Sequence, residues 1–148
     1  MPSTVTTTTP GERLKDLFER FGRDDQAAVL REGAALYAAA MVFQDPIQRL
    51  EGLDAYVAMC QRLLDRSRTV RFDVGSLLES ERDVFLTWRM DMQPRLGPRV
   101  ISDGVSHCRL GPDGLVVLHR DYWDLVGDVL GQVPLVGRGW RALVKGMF

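Results

Sequence analysis

Leu115-Val116-Val117-Leu118-His119-Arg120-Asp121-Tyr122-Trp123-Asp124 reads as a strand whose second half carries chemistry. The apolar run follows the hairpin turn Gly111-Pro112-Asp113-Gly114 and passes into a histidine, an arginine, two carboxylates and two aromatics. Side chains alternate between the faces of a strand. His119, Asp121 and Trp123 therefore share one face, and Arg120, Tyr122 and Asp124 the other. An ionised carboxylate in a buried strand is costly unless it is paired or has a chemical task. Asp121 is the first residue that asks for an explanation.

The alternating period extends back to residue 70. Segments 70–78, 84–93 and 100–110 read as strands, separated by turns at 79–82 and 94–98. Hairpin spacing implies a mostly antiparallel sheet. Before residue 69 the period is helical. Thr9-Pro10-Gly11-Glu12 carries a capping-box pattern with proline at the first helical position. Leu14, Leu17, Phe18 and Phe21 form one stripe of the helix that Gly22 ends. Asp24 or Asp25 caps a second helix from residue 26 to about residue 37. Residues 41–43 form a short strand ending at Gln44-Asp45-Pro46, where Pro46 pushes Asp45 towards extended geometry. A third amphipathic helix runs from residue 52 to about residue 65, with Leu53, Tyr56, Val57, Cys60, Leu63 and Leu64 on its apolar side. Helices first and a meander afterwards give an α+β class, with helices packed on one sheet face.

A chain of 148 residues fits one domain with a sizeable core. That domain is expected over residues 10–148, after a disordered, Thr-rich lead-in over residues 1–9. A net charge of -1 argues against nucleic-acid binding. No apolar run is long enough to cross a bilayer, and a membrane partner is not expected. The N-terminus lacks the apolar core of a signal peptide, so the cytoplasm is the expected compartment. Cys60 and Cys108 read as small core residues. Metal-ligand spacing, a phosphate loop and a nucleophile elbow are missing, so neither a metal nor a cofactor is expected. The tail from about residue 125 begins as a helix that Pro134 and Gly137 break. Arg138, Arg141 and Lys145 then recur opposite Trp140, Leu143, Val144 and Met147. A short helix docked on the body is the expected arrangement; a membrane-surface or partner-binding helix is the alternative.

Arg89 and Asp91 share one face of segment 84–93, and Trp88, Met90 and Met92 the other. If the sheet curls around a cavity, Arg89, Asp91, Asp121 and Asp45 could all point into it. Two carboxylates near one arginine make an acid/base pair, because the arginine holds both while their repulsion lets them share a proton. One could then take a proton from water while the other protonates a leaving oxygen. This arrangement requires Trp88, Met90 and Met92 to be buried elsewhere, most simply in a homodimer interface on the outer sheet face. The competing arrangement turns that apolar face inward and leaves Arg89 and Asp91 as a solvated pair. His119 could be a second acid/base group or a hydrogen-bonded structural histidine, and Asp45 could simply make the turn before Pro46.

Three segments, 36–46, 52–56 and 114–124, in this order and spacing, resemble the nuclear-transport-factor-2-like superfamily. The resemblance covers about residues 10 to 125. It implies a curved, mostly antiparallel sheet forming a cone closed by three N-terminal helices, around a deep pocket for an apolar small molecule. Arg89-Met90-Asp91, with Asp121 in its Arg-Asp-Tyr-Trp-Asp context, is similar to the limonene-epoxide-hydrolase-like branch. By that likeness Asp121 would take a proton from water, Asp91 would protonate an epoxide oxygen, and Arg89 would orient both. The tyrosine and asparagine that hold the water in that branch correspond to Phe43 and Asp45, so the water would be held differently or the substrate would not be an epoxide. Asp45-Pro46 is similar to the base of ketosteroid isomerases, but Leu17, Phe18 and Ser106 stand where their other catalytic groups would be. SnoaL-like cyclases use an acid on the last strand, to which Asp121 would correspond. The expected catalytic set is Asp121, Asp91 and Arg89, with Asp45, His119, Phe43 and Trp123 as additional pocket or base residues. A non-catalytic binding protein for an apolar molecule is the remaining alternative.

Overall fold

The computed structural model describes residues 7–147, apart from the side chain of residue 132. Most of the expected lead-in, residues 1–6, lies outside the described residues. Thr9, its last residue, is structured: Glu12 N donates to its hydroxyl at 3.2 Å, and its own N–H donates to the Glu12 carboxylate at 2.8 Å. This capping box starts α1 (Pro10–Arg20). There follow α2 (Gln26–Ala34), β1 (Tyr37–Gln44), β2 (Arg49–Glu51), α3 (Leu53–Arg66), β3 (Ser67–Glu79), β4 (Asp83–Pro94), β5 (Val100–Leu110) and β6 (Val116–Trp123). A π turn (Leu125–Val129), a 3-10 turn (Leu130–Gln132) and α4 (Val136–Met147) complete the chain.

The six strands form one curved, unclosed sheet in the order β2-β1-β6-β5-β4-β3. Every pairing is antiparallel except β1 with β6. The α+β architecture is as expected, with two differences. The short strand β2 is additional. And β1 begins at Tyr37, where the second helix was expected to end, four residues before the expected strand over residues 41–43. Ala38, Ala39 and Ala40 favour a helix intrinsically. Burial overrides them: Tyr37, Met41 and Phe43 are 7%, 0% and 2% exposed, and only an extended β1 pairs with β6 while placing all three in the core.

The core lies between the helices and the inner sheet face. Leu14 from α1 meets Val84 and Leu86 from β4, Cys108 from β5, and Met41 and Phe43 from β1. Leu14 is 1% exposed; replacing it with alanine would cost about 2–5 kcal/mol. Where α1 meets β3, Gly22 has φ +79°, and a Cβ there would stand 1.8 Å from the Val70 carbonyl oxygen. Glycine is thus required by both conformation and space.

The tail departs from expectation. Asp124 caps the π turn, accepting from the backbone N–H of Val126 at 3.1 Å and Gly127 at 2.8 Å. The break falls at Pro134 and Leu135, the latter at φ 77°. Gly137 does not break the helix: it lies inside α4, buried, and its missing Cβ lets the Gly131 carbonyl approach.

Candidate functional site

The inner face of β6 carries His119 and Asp121 into the core. Across the β5–β6 ladder His119 pairs with Cys108 and Asp121 with Ser106. His119 is 1% exposed, whereas the Asp121 side chain keeps 18%. The His119 Nε2 lies 2.8 Å from Asp121 Oδ1 and 3.3 Å from Ser106 Oγ. Ser106 also contacts the same Asp121 oxygen, and Trp88 Nε1 lies 2.9 Å from the Ser106 hydroxyl. On the other side of the ring, His119 Nδ1 lies 2.9 Å from the Tyr37 hydroxyl and 3.3 Å from that of Tyr56.

Donor counting assigns the protons of this chain. The Trp88 indole is a donor only, so it donates to Ser106. Ser106 spends its single hydrogen on Asp121 Oδ1. An ionised carboxylate only accepts, so His119 Nε2 carries a hydrogen and donates to it. In the neutral ring, Nδ1 is then the acceptor for Tyr37. Both internal bonds fall on Oδ1. Among the described residues no hydrogen bond reaches Asp121 Oδ2, which leaves that oxygen for a reactant.

Aromatic rings wall the imidazole. Phe43 lies edge-on at 5.3 Å between centroids, Tyr56 at 5.6 Å, and Phe18 and Tyr37 at 5.9 Å. Burial disfavours a charged imidazole here, but Cys108, Tyr37 and Asp121 favour it, and the balance lifts the His119 pKa well above its ordinary value. Burial pushes the Tyr37 hydroxyl up to about 12, so it stays neutral near pH 7. The Asp121 carboxylate is the neighbour that sustains the imidazolium there.

Arg89 and Asp91 do not join this group. They stand on the outer face of β4, because its even positions Val84, Leu86 and Trp88 fill the core at 0%, 0% and 5% exposure. The expected Asp121, Asp91 and Arg89 set therefore does not assemble. Nor do Arg89 and Asp91 form an ion pair with one another. Arg89 pairs with Asp103 at 3.3 Å in solvent, and Asp91 takes a two-pronged contact from Arg99. Arg99 holds the Asp91 carboxyl below the usual carboxylate range. Trp88, Met90 and Met92 turn inward, paired across β5 with Gly104, buried Ser102 and buried Val100, so they offer no dimer surface on the outer face. The outer face instead exposes Phe85, Ile101 and Tyr122.

Asp45 ends β1 and makes the turn: its Oδ1 accepts from Ile47 N at 2.8 Å and Gln48 N at 2.9 Å. Phe43 lies beside His119 in the β1–β6 register, and Trp123 pairs with Gly104 on β5. Sequence reading missed Tyr37 and Ser106 as partners of the dyad, and it took Tyr56 for packing alone. Their signal was a polar atom at a core position: Ser106 lies between Gly104 and Cys108 on the inner face of β5, and Tyr56 on the apolar side of α3. It also missed Asp128, which the π turn brings to buried Ser102 at 2.6 Å. Ser102 lies four residues from Ser106 on the same strand, roughly 13 Å along it, so Asp128 stands apart from Asp121. Among the described residues no three His, Cys, Asp or Glu side chains gather in metal-binding geometry.

The fold and the matching sequence pattern agree with known proteins. An NTF2-like protein of unknown function from Exiguobacterium sp. 255-15 is 20% identical, with a TM-score of 0.67 over 78% of this chain and 98% of that one. A SnoaL-like polyketide cyclase candidate from Jannaschia sp. CCS1 is 21% identical, with a TM-score of 0.66 over 86% and 92%. An LEH-like epoxide hydrolase from M. tuberculosis is 18% identical, with a TM-score of 0.67 over 93% and 96%. At these identities the likeness speaks for the fold. No curated protein matches the chain. The sequence pattern of the SnoaL-like domain matches residues 14–119. This chain belongs to the SnoaL-like domain family.

Proposed function

We propose that the protein is a proton-transfer enzyme of the isomerase or cyclase kind, with Asp121 as its acid/base group. The observation that carries this reading is the Asp121 carboxyl: one oxygen is held by His119 and Ser106, and the other has no protein partner among the described residues. His119 is a positioning residue, fixed in turn by Tyr37 and Tyr56.

The reactant is a small, mostly apolar carbonyl compound. Asp121 Oδ2 takes a proton from the carbon beside the carbonyl, and the electron pair left behind delocalises onto the carbonyl oxygen as an enolate. Where a β,γ double bond extends the enolate, return of the same proton from Asp121 to the γ carbon isomerises the compound. Attack of the enolate carbon on a second carbonyl closes a ring, and the alkoxide so formed takes back the proton held by Asp121. The rings of Phe18 and Phe43 packed on His119, with Phe72 against Phe18, make an apolar surrounding that suits such a reactant and strengthens the hydrogen bonds that hold the carboxylate. Epoxide hydration is the weaker reading, since Asp91 is not available to protonate the epoxide oxygen, nor Arg89 to orient the two aspartates.

The test is deuterium exchange beside the carbonyl of cyclohexanone and cyclohex-3-enone in D2O, followed by proton NMR. Wild type is expected to accelerate exchange, Asp121→Asn to return it to the buffer rate, and Arg89→Gln with Asp91→Asn to leave it unchanged. The proposal fails if no compound exchanges faster than in buffer. It fails equally if styrene oxide is hydrated in a manner that the outer-face variant abolishes.

A further inference from the structure

Away from the β6 site, α4 is the most strongly amphipathic element of the chain. On a helical wheel its side chains split into two opposed stripes. Val136, Trp140, Leu143, Val144 and Met147 span roughly 100° of arc, and Arg138, Arg141 and Lys145 lie opposite them. Such a pattern in a globular protein normally buries its apolar stripe against the body. Here the body receives only part of it: Trp140 and the half-buried Val144 face Asp124, Val126, Gly127 and Gly131. Val136 is 52% exposed, Trp140 45%, Leu143 56% and Met147 69%, and Gly137 is the one buried residue of the helix. The helix meets the rest of the chain mainly at the 3-10 turn, and a groove of about 310 Å³ remains between it and the segment around Val126. The expected docking is thus only partial. In the segment just before the helix, Leu130, Val133 and Leu135 are also exposed, at 41%, 38% and 81%.

Charge identifies what would cover this surface. Residues 129–148 contain Arg138, Arg141 and Lys145 and no acid. The whole chain carries 19 Lys and Arg against 20 Asp and Glu, so residues 1–128 hold 16 against 20, a charge of -4, and the tail +3. A protein groove would need only the apolar stripe. A cationic stripe on the opposite side, in reach of anionic headgroups across a helix about 10 Å thick, fits an anionic lipid surface better. Trp140 near the centre of the apolar stripe is the side chain that favours the water–lipid boundary. Gly137, Gly139 and Gly146 weaken the helix by itself, so it gains from a surface that orders it.

We infer that α4 is an interfacial helix, by which the protein docks reversibly on anionic bilayers, apolar stripe down and the body held outside. The helix is too short and too charged to span, and no helix among the described residues is long and apolar enough to cross a membrane. This takes up the alternative reading of the tail over the expected docked helix, where a membrane partner was not expected, and it does not depend on the chemistry proposed for Asp121.

The test is co-sedimentation of the full chain with vesicles of phosphatidylcholine alone or with phosphatidylglycerol added. Binding is expected only to the anionic vesicles and should weaken as salt is raised. Leu143→Glu is expected to reduce it at least tenfold. Replacing Arg138, Arg141 and Lys145 together with glutamine should reduce it on the order of 100-fold. Leu96→Glu, in the exposed turn after β4, is the control and should change nothing. Failure of wild type to bind anionic vesicles overturns the inference, as does equal binding by Leu143→Glu. Sedimentation velocity covers the remaining occupant. A dimer that Leu143→Glu dissolves, with no vesicle binding, makes α4 a subunit interface and also overturns it.

Discussion

Two strands of the sheet carry the same short pattern, a basic residue and an aspartate two positions later. In β6 it is His119 and Asp121; in β4 it is Arg89 and Asp91. Both pairs share a face of their strand, as the pleat requires. Their surroundings differ completely. His119 is 1% exposed and bonded on both ring nitrogens, so its carboxylate partner is fixed within the core. Arg89 and Asp91 stand in solvent and are paired with other exposed charges, where water screens each contact. The pattern itself does not make a site. The face on which it lands does, and that is set by which neighbouring positions must be apolar.

The largest expected effect separates the two faces directly. Asp121→Asn should lower proton exchange by about 10²–10⁴-fold while circular dichroism shows an intact fold. An unchanged rate would remove the inner carboxylate from the chemistry.

Next comes the response to pH, where the two faces should have opposite signs. The His119 pKa is raised in the folded state, so the native protein binds more protons above the ordinary histidine range. Its stabilisation is complete below about pH 6.5 and is lost as pH rises through the raised value. Its slope is at most roughly 1.4 kcal/mol per pH unit. Asp91 is the reverse: its lowered pKa gives stability that is present above the ordinary carboxylate range and lost as pH falls. Urea unfolding of wild type and His119→Gln from neutral to alkaline pH checks the first sign. Parallel curves would mean that His119 titrates alike in both states.

Tyr37→Phe probes the support behind the histidine. It takes the hydroxyl from Nδ1 but leaves that of Tyr56 at 3.3 Å. A loss of about 1–3 kcal/mol in unfolding free energy is expected from denaturant titration, towards the lower end because of Tyr56. A larger loss would show that Tyr56 does not compensate. The smallest effect belongs to the outer face. Arg89→Gln with Asp91→Asn should shift Tm by about 3 °C or less, and a greater shift would reveal a role for these charges that solvent screening does not allow.

Much of this was legible in local pattern. The capping box at Thr9 and Glu12, the stripe through Leu14 and Phe18, and the alternation through β4, β5 and β6 all depend on neighbours one to four residues away, and the sequence contains those neighbours. The shared face of His119, Asp121 and Trp123 follows from the same arithmetic, and so does the segregation of apolar and basic residues in α4. What alternation leaves open is which face of a strand becomes the inside. For β4 both choices were sterically possible, and Val84 and Leu86 settled it by packing against Leu14, some 70 residues away. The extended Tyr37-Ala38-Ala39-Ala40 run required β6 as its partner. The hydroxyls around His119 come from β1, α3 and β5, which meet only when the sheet curls. The exposure of α4 likewise reflects a body surface that seats only part of its apolar stripe, at Trp140 and Val144. Local periodicity is written in the chain; the assignment of inside and outside is a property of the whole packed core.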